Sequence, residues 1–312
     1  MFERNGQLLL GRLSLGDTDA AAGLIHQSLA VWYDRNLNQP DRFGQAWEPF
    51  RVFPDIYQAL DPNCGVSARD AVSGELLGVC FYHPRPSHIA VGIVATHPQA
   101  GGRGIARAMV QEVLSLADAS QLPVRLVSSL MNLESFSLYT RLGFVPGTIF
   151  QDLWFPPGIL PLLAPPPGTL RPAVAADVTA MAALEERLTG LQRKQDFHFF
   201  VQNDPAVWHT LVLIGPDGNL TGFLSSINDG TTVMIGPGCM QDDAGALALL
   251  TAQLHHRAPA APVLLVPARA TGLIASLYQA GARNLELHTA QVRGPSLEPQ
   301  GIVIPTFLPE SG

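Results

Sequence analysis

The residues of this 312-residue chain best suited to chemistry form one run, Ala95-Thr96-His97-Pro98-Gln99-Ala100-Gly101-Gly102-Arg103-Gly104-Ile105-Ala106. It lies between an apolar, strand-like stretch and a helical pattern. Glycine permits positive φ and close backbone approach to a ligand, while a helix start offers N–H groups without intrahelical acceptors at the positive end of a dipole. Such a turn binds a pyrophosphate. Arg103 and Arg107 add positive charge at the same end. Ile105, Met109, Val113 and Leu116, joined by Val110, Leu114 and Ala117, recur at helical spacing and predict a helix anchored on a sheet. A glycine-rich turn also serves as a purely structural tight turn, so the run alone leaves both readings open.

A second run, Asn132-Leu133-Glu134-Ser135-Phe136-Ser137-Leu138-Tyr139-Thr140-Arg141-Leu142-Gly143-Phe144, follows a strand-like stretch at 124–128. Together the two runs resemble the GNAT acyltransferase superfamily, whose Gln/Arg-x-x-Gly-x-Gly/Ala motif follows a strand. Gly101 stands at the Gln/Arg position, and Gly104 and Ala106 stand at the two small positions. The glycine at 101 removes a side chain but no backbone amide. The resemblance implies acetyl-CoA as acyl donor, held by Ala95, Thr96, Gly101, Gly102, Arg103, Gly104, Ile105, Ala106, Asn132 and Tyr139. It places Asn132 at the pantetheine arm or its surroundings and Tyr139 beside the thioester sulfur as general acid. An amine attacking a thioester must lose a proton, and it needs a stabilised oxyanion and a leaving thiolate that is tolerated or protonated. Backbone amide at Ala95 and Thr96 and the Tyr139 hydroxyl answer the last two needs. Tyr139 also reads as a packed core ring with its hydroxyl bonded to backbone.

The residues do not single out a general base. Asp34, Asp41, Glu48, Asp55 and Glu134 are the acidic candidates, and most such side chains are simply solvated. Trp32, Tyr33, Phe43, Trp47, Phe50 and Phe53 cluster on the stretch that precedes the motif. They fit an acceptor pocket or the packing of helices on a sheet, and packing is the preferred reading.

Composition narrows the partners. A net charge of −7 and a single lysine, Lys194, leave no basic surface for a polynucleotide. No apolar stretch reaches the ~20 residues that span a bilayer, and the first residues lack the order of a signal peptide, so a cytoplasmic protein without membrane contact is expected. Cys64, Cys80 and Cys239 are odd in number and widely spaced, which fits small buried groups better than a disulfide framework or a thiolate metal site.

The positioning elements come in two similar sets. Residues 156–168, Pro-Pro-Gly-Ile-Leu-Pro-Leu-Leu-Ala-Pro-Pro-Pro-Gly, exclude helix interior and central strand and read as a semi-rigid linker. Ile159, Leu160, Leu162 and Leu163 within it suggest that it lies along a domain surface. On each side the order is strand, helices, three strands, helix, strand, helix, strand. The openings are a short strand at 13–15 leading to a helix after Asp17, and 170–174 leading to a helix with Asp177 as N-cap. Leu76-Leu77-Gly78-Val79 has its counterpart in Leu220-Thr221-Gly222-Phe223, a β-rich run at 89–95 in one at 232–235, and Ser137-Leu138-Tyr139 in Ser276-Leu277-Tyr278. The expected fold is α+β (mixed α/β), two tandem GNAT folds. Each is a mostly antiparallel central sheet with one parallel strand pair splayed at the cofactor site and helices on both faces. The domains would be 1–155, 156–168 as linker, and 169–312.

In the second half the counterpart of the phosphate turn reads Ile235-Gly236-Pro237-Gly238-Cys239-Met240-Gln241-Asp242-Asp243-Ala244-Gly245-Ala246. Two aspartates at the helix start satisfy its free N–H groups and repel a pyrophosphate, so this half is expected to be non-catalytic. His198 and the adjacent His255 and His256 lack ligand spacing, so no metal is expected. The function that follows is an acetyl-CoA-dependent N-acyltransferase with a small-molecule or peptide amine as acceptor. A CoA-binding pseudoenzyme or structural module is the alternative, favoured by Gly101 and the missing base. A Rossmann-type nucleotide binder fits less well, with one parallel crossover per half. The two halves suggest an intramolecular pseudo-dimer, in a chain that is itself monomer or homodimer.

Overall fold

The computed structural model describes the backbone of residues 2–4 and all of 8–204, 206–229 and 233–306. Thr232, which opens the 232–235 run, lies outside the described residues. Of the described residues, those up to Pro84 and Ile89–Val124 form one compact unit, and Arg85–His88 with Arg125–Thr306 form a second.

The first unit holds β1 (Phe2–Arg4), β2 (Leu8–Arg12), α1 (Thr18–Leu37), α2 (Val52–Leu60), β3 (Gly65–Asp70), β4 (Leu76–Arg85), β5 (His88–Thr96) and α3 (Ile105–Ser120). Its strands run in the order β1-β2-β3-β4-β5, with β2 antiparallel to β3 and β3 antiparallel to β4. The opening strand thus ends at Arg12, and Leu15 begins a 3-10 turn. Past the strand, the Ser14 amide donates to the Asp17 carboxylate, a local bond that competes with any extension of the ladder. The predicted face of α3 is buried: Ile105, Met109, Val110, Val113, Leu114 and Ala117 lie inside, while Leu116 is exposed. Gly78 on β4 lets that face approach. A Cβ there would meet Ile105 Cγ2 at 2.7 Å and Met109 Cε at 2.8 Å.

The remaining elements are β6 (Val124–Ser129), α4 (Leu133–Arg141), β7 (Val145–Trp154), β8 (Thr169–Pro172), α5 (Val178–Thr189), α6 (Lys194–Gln202), β9 (Trp208–Ile214), β10 (Leu220–Asn228), β11 (Val233–Met240), α7 (Asp243–Arg257), β12 (Val263–Pro267), α8 (Thr271–Gln279), β13 (Arg283–Arg293) and β14 (Ile302–Ile304). Beside Gly222 on β10 the first unit's geometry recurs, since a Cβ would meet Leu249 Cδ1 of α7 at 2.9 Å. The repeated glycine therefore has one cause in both halves, a helix crossing at backbone distance. Asp177 precedes α5 without capping it; its carboxylate accepts from the Val174 amide and pairs with Arg171 at 2.7 Å.

Strand order in the second unit is β6-β13-β7-β12-β11-β10-β9-β8. The two sequence repeats exchange their last strands. β13, from the second repeat, lies between β6 and β7, and β7, from the first, pairs antiparallel with both β12 and β13. Leu153 of β7 is consequently buried in the core that Leu224, Ile235, Leu249, Leu264 and Leu277 form. This exchange is why packing divides the chain near Val124, whereas the repeat divides it at the proline-rich segment. That segment lies along the second unit: Ala164 N donates to Thr251 Oγ1, and His255 Nε2 lies 2.7 Å from Pro161 O. No helix of the described residues is long and apolar enough to cross a membrane.

Candidate functional site

β5 ends at Thr96, whose neighbour His97 is fixed by its amide bond to Leu77 O at 2.9 Å. Residues 98–104 then make a 3-10 turn and an open loop before α3. Gly102 and Gly104 sit at φ +77° and +74°, and a Cβ on either would meet nothing within 4 Å. Gly101 to Gly104 are exposed, Ala95 and Ile105 are buried, and Thr96 and Ala106 are half-buried. The first bond of α3 runs from Ala108 N to Gly104 O, which leaves the amides of Ile105, Ala106 and Arg107 ahead of it without an intrahelical acceptor. No side chain caps this terminus. Donors, dipole and space suit an anion.

Arg103 does not stand free at the turn. It pairs with Asp70 at 3.2 Å, and the amides of Ser73 and Val72, with Arg103, hold that carboxyl below its usual range. Arg107 is exposed and has no ion pair among the described residues, so it is the available cation in the first turn.

Asn132 and Tyr139 belong to the second unit. Asn132 is the N-cap of α4, its side-chain oxygen accepting from Ser135 N at 3.0 Å. Tyr139 is buried at 7% exposure, edge-on to Phe144 with centroids 5.8 Å apart. The segment entering α4 is held by β13. Leu130 N donates to Leu287 O, Gln291 Nε2 to Ser128 Oγ, and Ser129 Oγ to Glu286. Ser129 Oγ also accepts from Met131 N.

The acidic candidates of the first unit, Asp34, Asp41, Glu48 and Asp55, are all exposed, as is Glu134 on α4. Asp55 bonds to Arg51. Buried ionisable pairs occur elsewhere, where sequence spacing gave no hint. Asp61, just past α2, lies 2.7 Å from His83 Nδ1 on β4, both below 9% exposure. In the second unit His288 Nδ1 lies 2.9 Å from Asp152. With Glu286 these two offer ligand atoms within 4.8 Å of one another, the only such trio among the described residues. Burial pulls the His288 imidazolium down, but the hydrogen bond and charge of Asp152, with the charge of Glu286, hold it above the usual histidine value. The aromatic stretch forms a chain of ring contacts, Trp32 to Tyr33, Phe43, Phe50 and Phe53, at 5.0 to 5.8 Å between centroids. Only Phe50 among these is fully buried.

The second repeat closes the corresponding features. Gln241 N donates to Thr221 O as His97 N does to Leu77 O, but Asp242 alone then precedes α7. Asp242 caps that helix, accepting from Gly245 N at 2.8 Å. The neighbouring Asp243 does not share the task; it turns to the start of α8 and accepts from Leu273 N at 3.1 Å. β11 and β12 are parallel only at Met234↔Val263 and Ile235↔Leu264, after which they part. The gap is filled by β14, with Gly238↔Ile304, Cys239↔Val303 and Met240↔Ile302 in antiparallel register. Every residue of β11 from Met234 on is buried, whereas Gly92, Ile93, Val94 and Thr96 of β5 keep partial exposure. Tyr278, the counterpart of Tyr139, is 42% exposed and donates its hydroxyl to Gln151.

Comparison with known proteins bears on the fold. Residues 29–144 match the model of the acetyltransferase (GNAT) family. No curated protein matches the sequence. A solved protein of Pyrococcus horikoshii superposes with TM-score 0.74 at 11% identity, over 97% of this chain and 95% of that one. A tandem GNAT protein from the clavulanic acid biosynthesis pathway gives 0.59 at 16% identity, over 93% and 100%. Saccharomyces cerevisiae N-myristoyltransferase with bound myristoyl-CoA gives 0.59 at 13%, over 96% and 81%. The chain has the fold of tandem GNAT proteins, and its segment 29–144 resembles the GNAT acetyltransferase family.

Proposed function

We propose that this chain is an N-acyltransferase that moves an acetyl group from acetyl-CoA to a primary amine of a small molecule or peptide, by direct attack in a ternary complex. The observation that carries the reading is the uncapped start of α3 beside Gly102 and Gly104, set against the Asp242-capped start of α7. Residues 1–155 are then the acetyl-CoA-binding domain, 156–168 the linker, and 169–312 a non-catalytic GNAT-like domain.

Bound acetyl-CoA supplies the activated thioester. The amides at the α3 N-terminus, with Arg107, hold its diphosphate by charge-assisted hydrogen bonds. Backbone of Ala95 and Thr96 orients the acyl arm, and the Tyr139 hydroxyl protonates the leaving sulfur. Asn132 acts through the α4 cap rather than through a free carboxamide oxygen. The second domain supports this arrangement by holding residues 128–131 through β13.

Thiol release from acetyl-CoA with a panel of amines tests the assignment. Turnover on at least one amine supports it, and tight binding without turnover on any leaves a CoA-binding module. Tyr139→Phe is expected to lower turnover about tenfold or more with acetyl-CoA affinity intact, and a loss under about threefold removes Tyr139 from the mechanism.

A further inference from the structure

We propose that the first unit carries a subsite for an organic quaternary ammonium group, walled by the rings of Tyr33 and Phe43 and occupied in the free chain by Arg42. With the acyltransferase reading, on which this use of it rests, the subsite selects acceptors that carry a permanent cationic group beside the reacting amine.

Two rings make the corner. Tyr33 lies near the end of α1, and Phe43 comes from the segment that joins α1 to α2. Their centroids are 5.0 Å apart and their planes stand at 87°. A single guanidinium reaches both, with Arg42 Cζ 5.2 Å from the centroid of Tyr33 and 5.9 Å from that of Phe43. Both rings are half-buried and held from behind. His26 Nε2 donates to Gly44 O at 3.1 Å, which ties the segment back to α1, and Phe43 packs on the buried ring of Phe50 at 5.6 Å.

Arg42 shows what the corner takes. It is exposed, and its side chain forms no ion pair or hydrogen bond among the described residues, although Asp41 adjoins it and Asp34 adjoins Tyr33. The cation lies on the rings and not on the carboxylates. Asp34 and Asp41 are exposed and form no ion pair among the described residues either, so they set a negative potential at the rim that attracts a cation and repels an anion. The walls select the class. A π-face accepts no strong hydrogen bond, so a primary ammonium would leave donors unmet there, whereas a quaternary ammonium has none to lose. Location ties the corner to the donor residues, because α1 also packs against the 3-10 turn Pro98–Ala100 that leads to Gly101, within the same compact unit.

The test uses the full chain and choline, with its uncharged carbon isostere 3,3-dimethyl-1-butanol as control at matched ionic strength, read by saturation-transfer NMR on the methyl protons. Arg42→Ala, an exposed change that empties the corner, is expected to bind choline with Kd of order 1 mM, about threefold tighter than wild type and at least about fivefold tighter than it binds the isostere. Phe43→Leu keeps an apolar wall and loses a π-face, and should weaken choline binding at least about fivefold. Choline bound no better than the isostere by both wild type and Arg42→Ala overturns the subsite, and equal choline affinity in those two proteins overturns Arg42 as its occupant. Acetyl transfer reads the acceptor role separately. The ratio of kcat/KM for (2-aminoethyl)trimethylammonium to that for 3,3-dimethylbutylamine should fall at least about fivefold in Phe43→Leu, and an unchanged ratio overturns that role. Choline binding as expected with neither amine acetylated counts against the acyltransferase reading and leaves the subsite standing.

Discussion

Ser129, at the end of β6 in the first repeat, donates its hydroxyl to the buried carboxylate of Glu286 on β13 of the second. The same oxygen receives the Met131 amide, one residue before the Asn132 cap of α4. A side chain from the second repeat therefore fixes where α4, and Tyr139 on it, begins. Glu286→Ala is expected to cost about 1–3 kcal/mol of stability by removing the acceptor of the half-buried Ser129 hydroxyl, and to lower turnover about tenfold through misplacement of α4. Glu286→Gln keeps an acceptor and is expected to restore most of both. Acetyl-transfer kinetics beside urea unfolding separate the effects, and equal kinetics for Ala and Gln variants would remove Glu286 from the positioning role.

Gly78 and Gly222 do the same work on β4 and β10, so alanine at either should overpack a helix against its strand. Each substitution is expected to destabilise by about 1–3 kcal/mol, measured by denaturant midpoint at constant slope. A Gly78→Ala variant as stable as wild type would mean that α3 shifts freely on its strand.

His288 gives stability a pH dependence. Its folded pKa is raised, so its contribution is fully present below the unfolded value near ~6.5 and is lost as pH rises through the folded pKa. Unfolding free energy should therefore fall over that window in wild type. His288→Gln should flatten this part of the profile, and an unchanged slope in the variant would contradict the Asp152 and Glu286 assignment.

Much of the local structure around the candidate site was legible in sequence because it depends on local chemistry. Glycines at 102 and 104 take positive φ, the 105–117 pattern forms α3 with its apolar face inward, and Asp242 caps α7. What escaped is non-local. β7 and β13 each read as a closing strand of its own repeat, and nothing in the alternation along a strand says which sheet will take it. Only the register Glu286↔Asp152 brings those two carboxylates and His288 together. β14 is equally illegible. Ile302 to Ile304 is a short apolar segment, and the splay that it fills is created by divergence of β11 from β12. The two-aspartate cap expected for α7 divided for a related reason, as Asp243 met the start of α8, which lies far along the chain.

β14 also sets what removing the second repeat's cap will do. Asp242→Ala is expected to cost about 1 kcal/mol through loss of the N-cap bond, without creating a second CoA site, because β14 still fills the slot. Thermal unfolding and CoA titration of the variant check both halves of the statement. A second binding event in Asp242→Ala would show that the aspartate, and not β14, closes the repeat.

The account rests on bare amides at the front of α3. Isothermal calorimetry of acetyl-CoA with wild type, Gly104→Asp and Arg107→Glu tests it most directly. One site per chain is predicted. Reversal of the exposed Arg107 charge should weaken binding about tenfold, and a carboxylate at the α3 cap should weaken it about a hundredfold by repelling a diphosphate from the amides it needs. Two sites per wild-type chain, or full affinity in Gly104→Asp, would contradict the account.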